Sequence, residues 1–463
     1  MILTLLATSL IVLLLFANTT KSEHTYTASF GNDGEHLSFF NQGFAIGQRA
    51  FTKKLSCTNM LLCGPTGSGK SSISIIPTIS SLAKGKSSMV VNDVSGELWL
   101  HTSQYLAEKG YTVLRLDFSN AQQSETFNPL LECNSVQDIQ KTALLIVRNA
   151  MGAEPKGDPF WEQSSIMLLS LFMRYLVFYT PPEYRTLQNT LLLIETFAVN
   201  GTLVDKLFVA TKDQALLSAY KSTLSMGDKT LASVIATART SLHLFTDPEV
   251  CKTTASNSID FRILREKPVA IFVCNPLKDL RYFKPISALF FQALFNFILS
   301  GIPARNARHI YLLMDEFASM KFPDMAVIVS NIRKYKAGLL LCVQDEMSLI
   351  SQYGQAEAHQ LKTNCGIQCF LKGTPLHTAK ELSQILGKYT YKDDHNHEKV
   401  RELMTPDEIR LADDAIVLVN NQPPLKFTPT PFYESIWMRK LIHTSGYFIP
   451  IKETQNPPLL TIQ

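Results

Sequence analysis

Short apolar runs, each closed by a polar or bending residue, recur along the chain. Met60–Cys63 ends at Gly64, Met89–Val91 at Asn92 and Asp93, and Thr112–Leu116 at Asp117. Val269–Cys274 ends at Asn275 and Pro276, Tyr311–Met314 at Asp315 and Glu316, and Gly338–Val343 at Gln344. Ile367–Leu371 and Ala415–Val419 follow. Continuous apolar runs of this length are what a strand covered on both faces requires. Helical stretches separate most of them. The alternation predicts an α/β fold, a parallel sheet with helices on both faces.

Residues 132–247 read differently. Their apolar positions recur at helical spacing in Ile139–Val147, Ser165–Phe178, Leu191–Phe197 and Leu231–Leu244, with little strand-like alternation. They predict an all-α domain inserted between two strands. The ATPase-type sheet then comes in two parts, 50–131 and 248–435, and 436–463 reads as a peripheral tail. Ser287–Leu299, rich in Phe, reads as a core helix. Ile166–Tyr179 carries Arg174 and is short, so it also reads as a buried helix and not a membrane span.

Ile2–Ala17 is a further apolar run, and polar sequence begins at Asn18. A membrane helix needs ~17–25 residues, so the run is near the lower limit. No Lys or Arg precedes it, which disfavours a cleaved signal peptide. The first positive charges, Lys21, Lys53 and Lys54, all follow it, and the positive-inside rule places the body in the cytoplasm. Residues 1–20 are expected to be a single-pass anchor in the cell (inner) membrane.

Composition changes this picture little. Hydrophobic residues make up 46% of the 463 positions and charged ones 18%, enough apolar material for large cores. A net charge of +4 permits contact with nucleic acid without arguing for it. The eight cysteines stand singly, several inside apolar runs, as reduced buried thiols do. Cys365 and Cys369 lack the spacing and partners of a zinc site.

Candidate chemistry concentrates at the strand ends. Gly64-Pro65-Thr66-Gly67-Ser68-Gly69-Lys70-Ser71 fits the phosphate-binding pattern G-x-x-x-x-G-K-[ST], with a strand before it and a helix after it. The glycines let successive N–H groups converge on a phosphate, and the helix N-terminus adds its dipole. Lys70 is placed to reach the outer phosphates of ATP, and the Ser71 hydroxyl to bind Mg²⁺. Asp315 would hold Mg²⁺ at the tip of its strand, and Glu316 would activate the attacking water. Gln344 reads equally as a γ-phosphate sensor or as a strand cap. Arg333 is a candidate arginine finger toward a neighbouring subunit, or a solvated arginine.

The order of short motifs resembles the type IV coupling proteins of conjugation and type IV secretion systems. The resemblance rests on GPTGSGKS at Gly64–Ser71, VVNDVSGEL at Val90–Leu98, FNPL at Phe127–Leu130 and DPFWEQSS at Asp158–Ser165. TARTSL at Thr237–Leu242, MDEFASM at Met314–Met320, IRKYKAGL at Ile332–Leu339, Gln344 and TPDEIR at Thr405–Arg410 continue it. Val94 and Ser95 stand where the family has Pro and Lys. The resemblance implies a RecA-like P-loop NTPase, a homo-hexameric ring and an ATPase that passes relaxase-bound single-stranded DNA, or an effector protein, to secretion channel components. It implies ATP and Mg²⁺ as cofactors, and two membrane helices where this chain has one short run.

Two other readings stay open at this point. A soluble DNA-processing ATPase or helicase would have no use for Ile2–Ala17. An assembly protein that binds ATP without motor activity would have no use for a base at Glu316.

Overall fold

The computed structural model describes residues 26–151, 158–440, 442 and 445–462; the apolar run Ile2–Ala17 lies outside them. Each apolar run read above as a strand forms one. A small hairpin, β1 (Ala45–Ile46) and β2 (Arg49–Ala50), precedes β3 (Met60–Cys63), β4 (Ser88–Asp93) and β5 (Thr112–Asp117). After the helical insertion come β6 (Val269–Cys274), β7 (Ile310–Met314), β8 (Ala337–Val343) and β9 (Ile367–Phe370). A second hairpin, β10 (Lys388–Lys392) with β11 (Glu398–Glu402), then leads to β12 (Ala415–Val419) and β13 (Leu425–Phe427).

Nine strands make one sheet, in the order β13-β12-β9-β3-β8-β7-β4-β6-β5. From β9 to β5 every pair is parallel. Ala415–Val419, expected as a parallel strand, runs antiparallel to both β9 and β13. Strand direction depends on which edge of the sheet the incoming chain reaches, and apolar pattern carries no sign of that.

Residues on β3, β4, β6, β7 and β8 are buried on both faces and alternate between two cores. Leu61 and Cys63 face the core shared with the helical insertion; Met60 and Leu62 face the other. All eight cysteines are buried and unpaired. The helix Leu280–Leu299 is long and apolar enough to cross a membrane. Its Phe290, Phe291 and Phe295 are instead fully buried against the sheet, as the core-helix expectation required.

Among the described residues, the region between β5 and β6 holds six long helices: Val136–Met151, Pro159–Tyr179, Leu187–Val199, Gly201–Ala210, Gln214–Leu224 and Asp228–Ser241. Asp158, Thr186 and Asp213 cap three of them by accepting hydrogen bonds from first-turn N–H groups. Their core is aromatic, with Phe208 stacked on Tyr220 at 4.4 Å and edge-on to Phe172. Arg174, the one charge in its apolar stretch, reaches Asp213 at 3.9 Å.

The chain after β13 is not a loose appendage. Its Tyr447 N–H donates to Ser103 Oγ (2.7 Å), and Lys452 pairs with Glu125 (2.8 Å). Farther on, Leu460 N–H donates to Asn189 Oδ1 (2.9 Å), while Asn189 Nδ2 donates to the Pro458 carbonyl (3.0 Å). One extended segment thus runs from the sheet edge to the helical insertion.

Candidate active site

The seven parallel strands deliver their polar ends to one edge of the sheet, where open α/β sheets bind ligands. β3 turns there into the loop Gly64–Gly69. Gly69 takes φ +92°, a conformation that L side chains rarely adopt, and a Cβ there would meet Ile73 Cδ1 at 2.7 Å. A Cβ on Gly64 would lie 2.4 Å from Ser68 Oγ. Gly64 and the buried Ser68 therefore set the loop's shape from behind. Pro65, Thr66, Gly67, Gly69, Lys70 and Ser71 line a cleft of about 540 Å³.

The helix after the loop starts with a π-wound turn, Lys70–Ile75, in which Ile76 N–H donates to the Ser71 carbonyl. Such turns cluster at functional sites. Pro77, which has no N–H, sits where the winding becomes α-helical. Lys70 is 9% exposed, and its ammonium donates to the Gly64 carbonyl at 2.8 Å. That bond keeps the amine at the loop, where it can exchange a carbonyl for a phosphate oxygen.

The acidic pair sits two strands away. The order β3-β8-β7 leaves roughly 10 Å between the Lys70 strand and the Asp315 strand, at about 4.8 Å per strand. This spacing suits a terminal phosphate with a water beyond it. Asn92 Nδ2 donates to the Asp315 carbonyl at 2.6 Å and fixes the backbone at that tip. The Asp315 carboxyl is pushed up to about 7 by burial, then by the neighbouring Glu316 and Asp93. Asp93, fully buried on the next strand, is pushed up to about 6 by burial, although the Trp99 and Leu98 N–H groups donate to it. A carboxylate in that position, with the Ser71 hydroxyl across the cleft, is a donor set that fits Mg²⁺.

Glu316 has φ 54°, ψ 49°, a left-handed backbone on a non-glycine residue. Such conformations cost of order ~1–3 kcal/mol and persist where surrounding structure enforces them. Here Phe317 stacks on Tyr353 at 5.3 Å, and the Tyr353 hydroxyl donates to the Met320 carbonyl at 3.1 Å. The result turns the Glu316 carboxylate toward Gln344, whose Nε2 donates to it at 3.5 Å. Gln344 directly follows β8, the strand between the lysine and the glutamate, and Asp345 caps the helix that follows. Lys70, Ser71, Asp315, Glu316 and Gln344 are therefore brought to one sheet edge.

Arg333 is not. It precedes β8, at the opposite edge of the sheet, roughly 20 Å from Gln344 at about 3.3 Å per strand residue. Its side chain is exposed and makes no ion pair among the described residues. Within one subunit it has no access to the cleft.

Sequence reasoning gave no site role to six residues that also line the cleft: Ser72, Val94, Ser95, Glu97, Phe432 and Tyr433. Ser95 and Glu97 lie just past a strand ending in Asp93, the same signal that marked Asp315. Phe432 and Tyr433 come from the far end of the chain, and nothing local announces them.

Comparison with known proteins agrees with this geometry. The VirD4 protein of Agrobacterium fabrum is 26% identical over 94% of this chain and 70% of its own length. The conjugal transfer protein TraG of Escherichia coli is 26% identical over 72% of this chain, which spans 55% of TraG. Among solved structures, the plasmid coupling protein TrwB in complex with ADP and Mg²⁺ superposes with a TM-score of 0.69 at 17% identity, covering 94% of this chain and 96% of TrwB. TrwB with the ATP analogue ADPNP gives 0.68 at 19% identity, covering 90% and 91%. The superposition gives the fold: the TrwB-like α/β fold, a large, mostly parallel sheet with a helical insertion. The family described as type IV secretory system conjugative DNA transfer matches residues 20–451, and the chain belongs to it.

Proposed function

We propose that this protein is an ATPase that couples ATP hydrolysis to delivery of DNA, as a relaxase-bound single strand, into a type IV secretion channel. The observation that carries the reading is the convergence of Lys70, Asp315 and Glu316 on one cleft, with Gln344 behind Glu316, 3.5 Å from its carboxylate. The residues divide the work. Loop N–H groups and Lys70 bind the β- and γ-phosphates. Ser71 and Asp315 hold Mg²⁺, which neutralises charge on the phosphates. Glu316 accepts the proton of the attacking water, and Gln344 orients that carboxylate and senses its phosphate neighbour. TraG, named a conjugal transfer protein, and TrwB, named a plasmid coupling protein, support the DNA-transfer role. The TrwB structures, holding ADP with Mg²⁺ or ADPNP, support the cofactors.

The working form in this reading is a homo-hexameric ring held to the inner membrane by residues 1–20, with the body in the cytoplasm. Residues 50–131 and 248–435 form the ATPase body, interrupted by the all-α domain 132–247. Arg333 serves a neighbour's cleft; its exposure at the far edge of the sheet supports a role in trans and none in cis.

ATP hydrolysis by the full chain in detergent, with and without single-stranded DNA, tests the reading, with Glu316→Gln as the blank. DNA stimulation that fades as salt rises is the expected result, because phosphate contacts release counterions. Hydrolysis indifferent to DNA at every salt concentration would move the cargo to effector protein.

A further inference from the structure

The cleft has a wall that the phosphate chemistry does not use. Phe432 and Tyr433 stand beside the first turn after the phosphate loop, and Ser72 lines the cleft between that loop and them. Glu316, which marks the terminal phosphate, belongs to the acidic strand tip. A nucleotide lying with its γ-phosphate toward Glu316 directs its sugar and base toward the aromatic wall.

The two rings differ in how they are held. Phe432 is half-buried, packed on the second core, with the His101 ring at 6.0 Å. Its T-shaped contact with Tyr433 at 5.5 Å braces the second ring. Tyr433 is 52% exposed at the cleft rim. A large planar apolar face, supported from behind and open toward a phosphate-binding loop, matches a purine in shape and surface.

Resting on the ATPase reading above, we propose that Phe432 and Tyr433 form the nucleobase shelf of this site: the purine stacks on Tyr433, and Phe432 fixes that ring's orientation. The shelf binds through the π-face, which adenine and guanine share, and not through the base edge. The site thus selects a nucleotide by its phosphates and tolerates either purine.

Equilibrium binding of ADP, GDP and inorganic tripolyphosphate to the full chain with Mg²⁺ tests this. The wild type should bind ADP and GDP within about threefold of each other, since stacking is tolerant of base identity. Tyr433→Ala should weaken both by about fivefold or more, the effect of losing one stacked base, and leave tripolyphosphate unchanged. Tyr433→Phe should restore both. Tripolyphosphate weakened in step with the nucleotides, or ADP unaffected by Tyr433→Ala, would overturn the shelf. A wild type that binds neither nucleotide nor tripolyphosphate would overturn the ATPase site and the shelf together. A wild type that binds all three while Tyr433→Ala changes none overturns the shelf alone.

Discussion

The side-chain amide of Asn149 grips the main chain of Lys321 from both sides: Nδ2 donates to the Lys321 carbonyl at 3.1 Å, and Oδ1 accepts from its N–H at 3.3 Å. Asn149 is 4% exposed and belongs to the first helix of the insertion. Lys321 belongs to the loop that begins at Glu316. The pair ties the insertion to the segment that aims the proposed base. Asn149→Ala should lower turnover by about tenfold, as small misplacements of reacting groups do. ADP binding should stay near wild type, since the phosphate loop is untouched. A KM that rises with kcat unchanged would show that the pair does not position Glu316.

Lys70→Ala removes the ammonium that the Gly64 carbonyl now holds. Nucleotide affinity should fall by about 100-fold or more, the loss expected when a charged hydrogen-bonding group is deleted from a phosphate site. Titration with a fluorescent ADP measures it. Affinity within threefold of wild type would remove Lys70 from the site.

Glu316→Gln keeps the shape of the side chain and its neighbour Gln344 but cannot accept a proton. ATP should still bind, while turnover falls by about 10²-fold or more, the usual contribution of a general base. Turnover at the wild-type rate would assign the base to another residue.

Stability of the nucleotide-free protein should fall as pH rises from about 4 to about 7. Asp315 and Asp93, pushed up to about 7 and about 6, bind more protons folded than unfolded in that window. Unfolding then releases protons, and higher pH favours it. Asp315→Asn should flatten the slope, read as Tm against pH. Binding of Mg²⁺ with nucleotide should release protons near pH 6.5, visible as a buffer-dependent heat. An Asp315→Asn slope equal to that of the wild type would contradict the assignment.

Much of the sheet was legible because parallel strands covered on both faces cannot hide their apolar runs. The same logic found Asp315 and Gln344, each the first polar residue past such a run, and Glu316 next to the first of them. It failed where position depends on tertiary path. The antiparallel setting of Ala415–Val419 between β9 and β13 leaves no mark on its apolar pattern. Gly201–Ala210 and Gln214–Leu224 fall outside the four helical runs read in the insertion, because each buries only two or three side chains and so carries a thin apolar stripe. Phe432 and Tyr433 reach the cleft only because the chain returns past β13.

Asn189 repeats the grip of Asn149. Its amide donates to the Pro458 carbonyl and accepts from Leu460 N–H, so a second passing strand of chain is held by the insertion. Asn189→Ala should raise hydrogen exchange in 458–462 and at the N-terminus of the helix Leu187–Val199, with other amides unchanged. Exchange unaffected at 458–462 would mean that the amide does not fasten this segment.

Both amides hold a passing segment by one donor and one acceptor, as a neighbouring strand would hold it. The insertion is thereby stitched to the loop after Glu316 and to the chain beyond β13, and drawing either segment away breaks two hydrogen bonds at once.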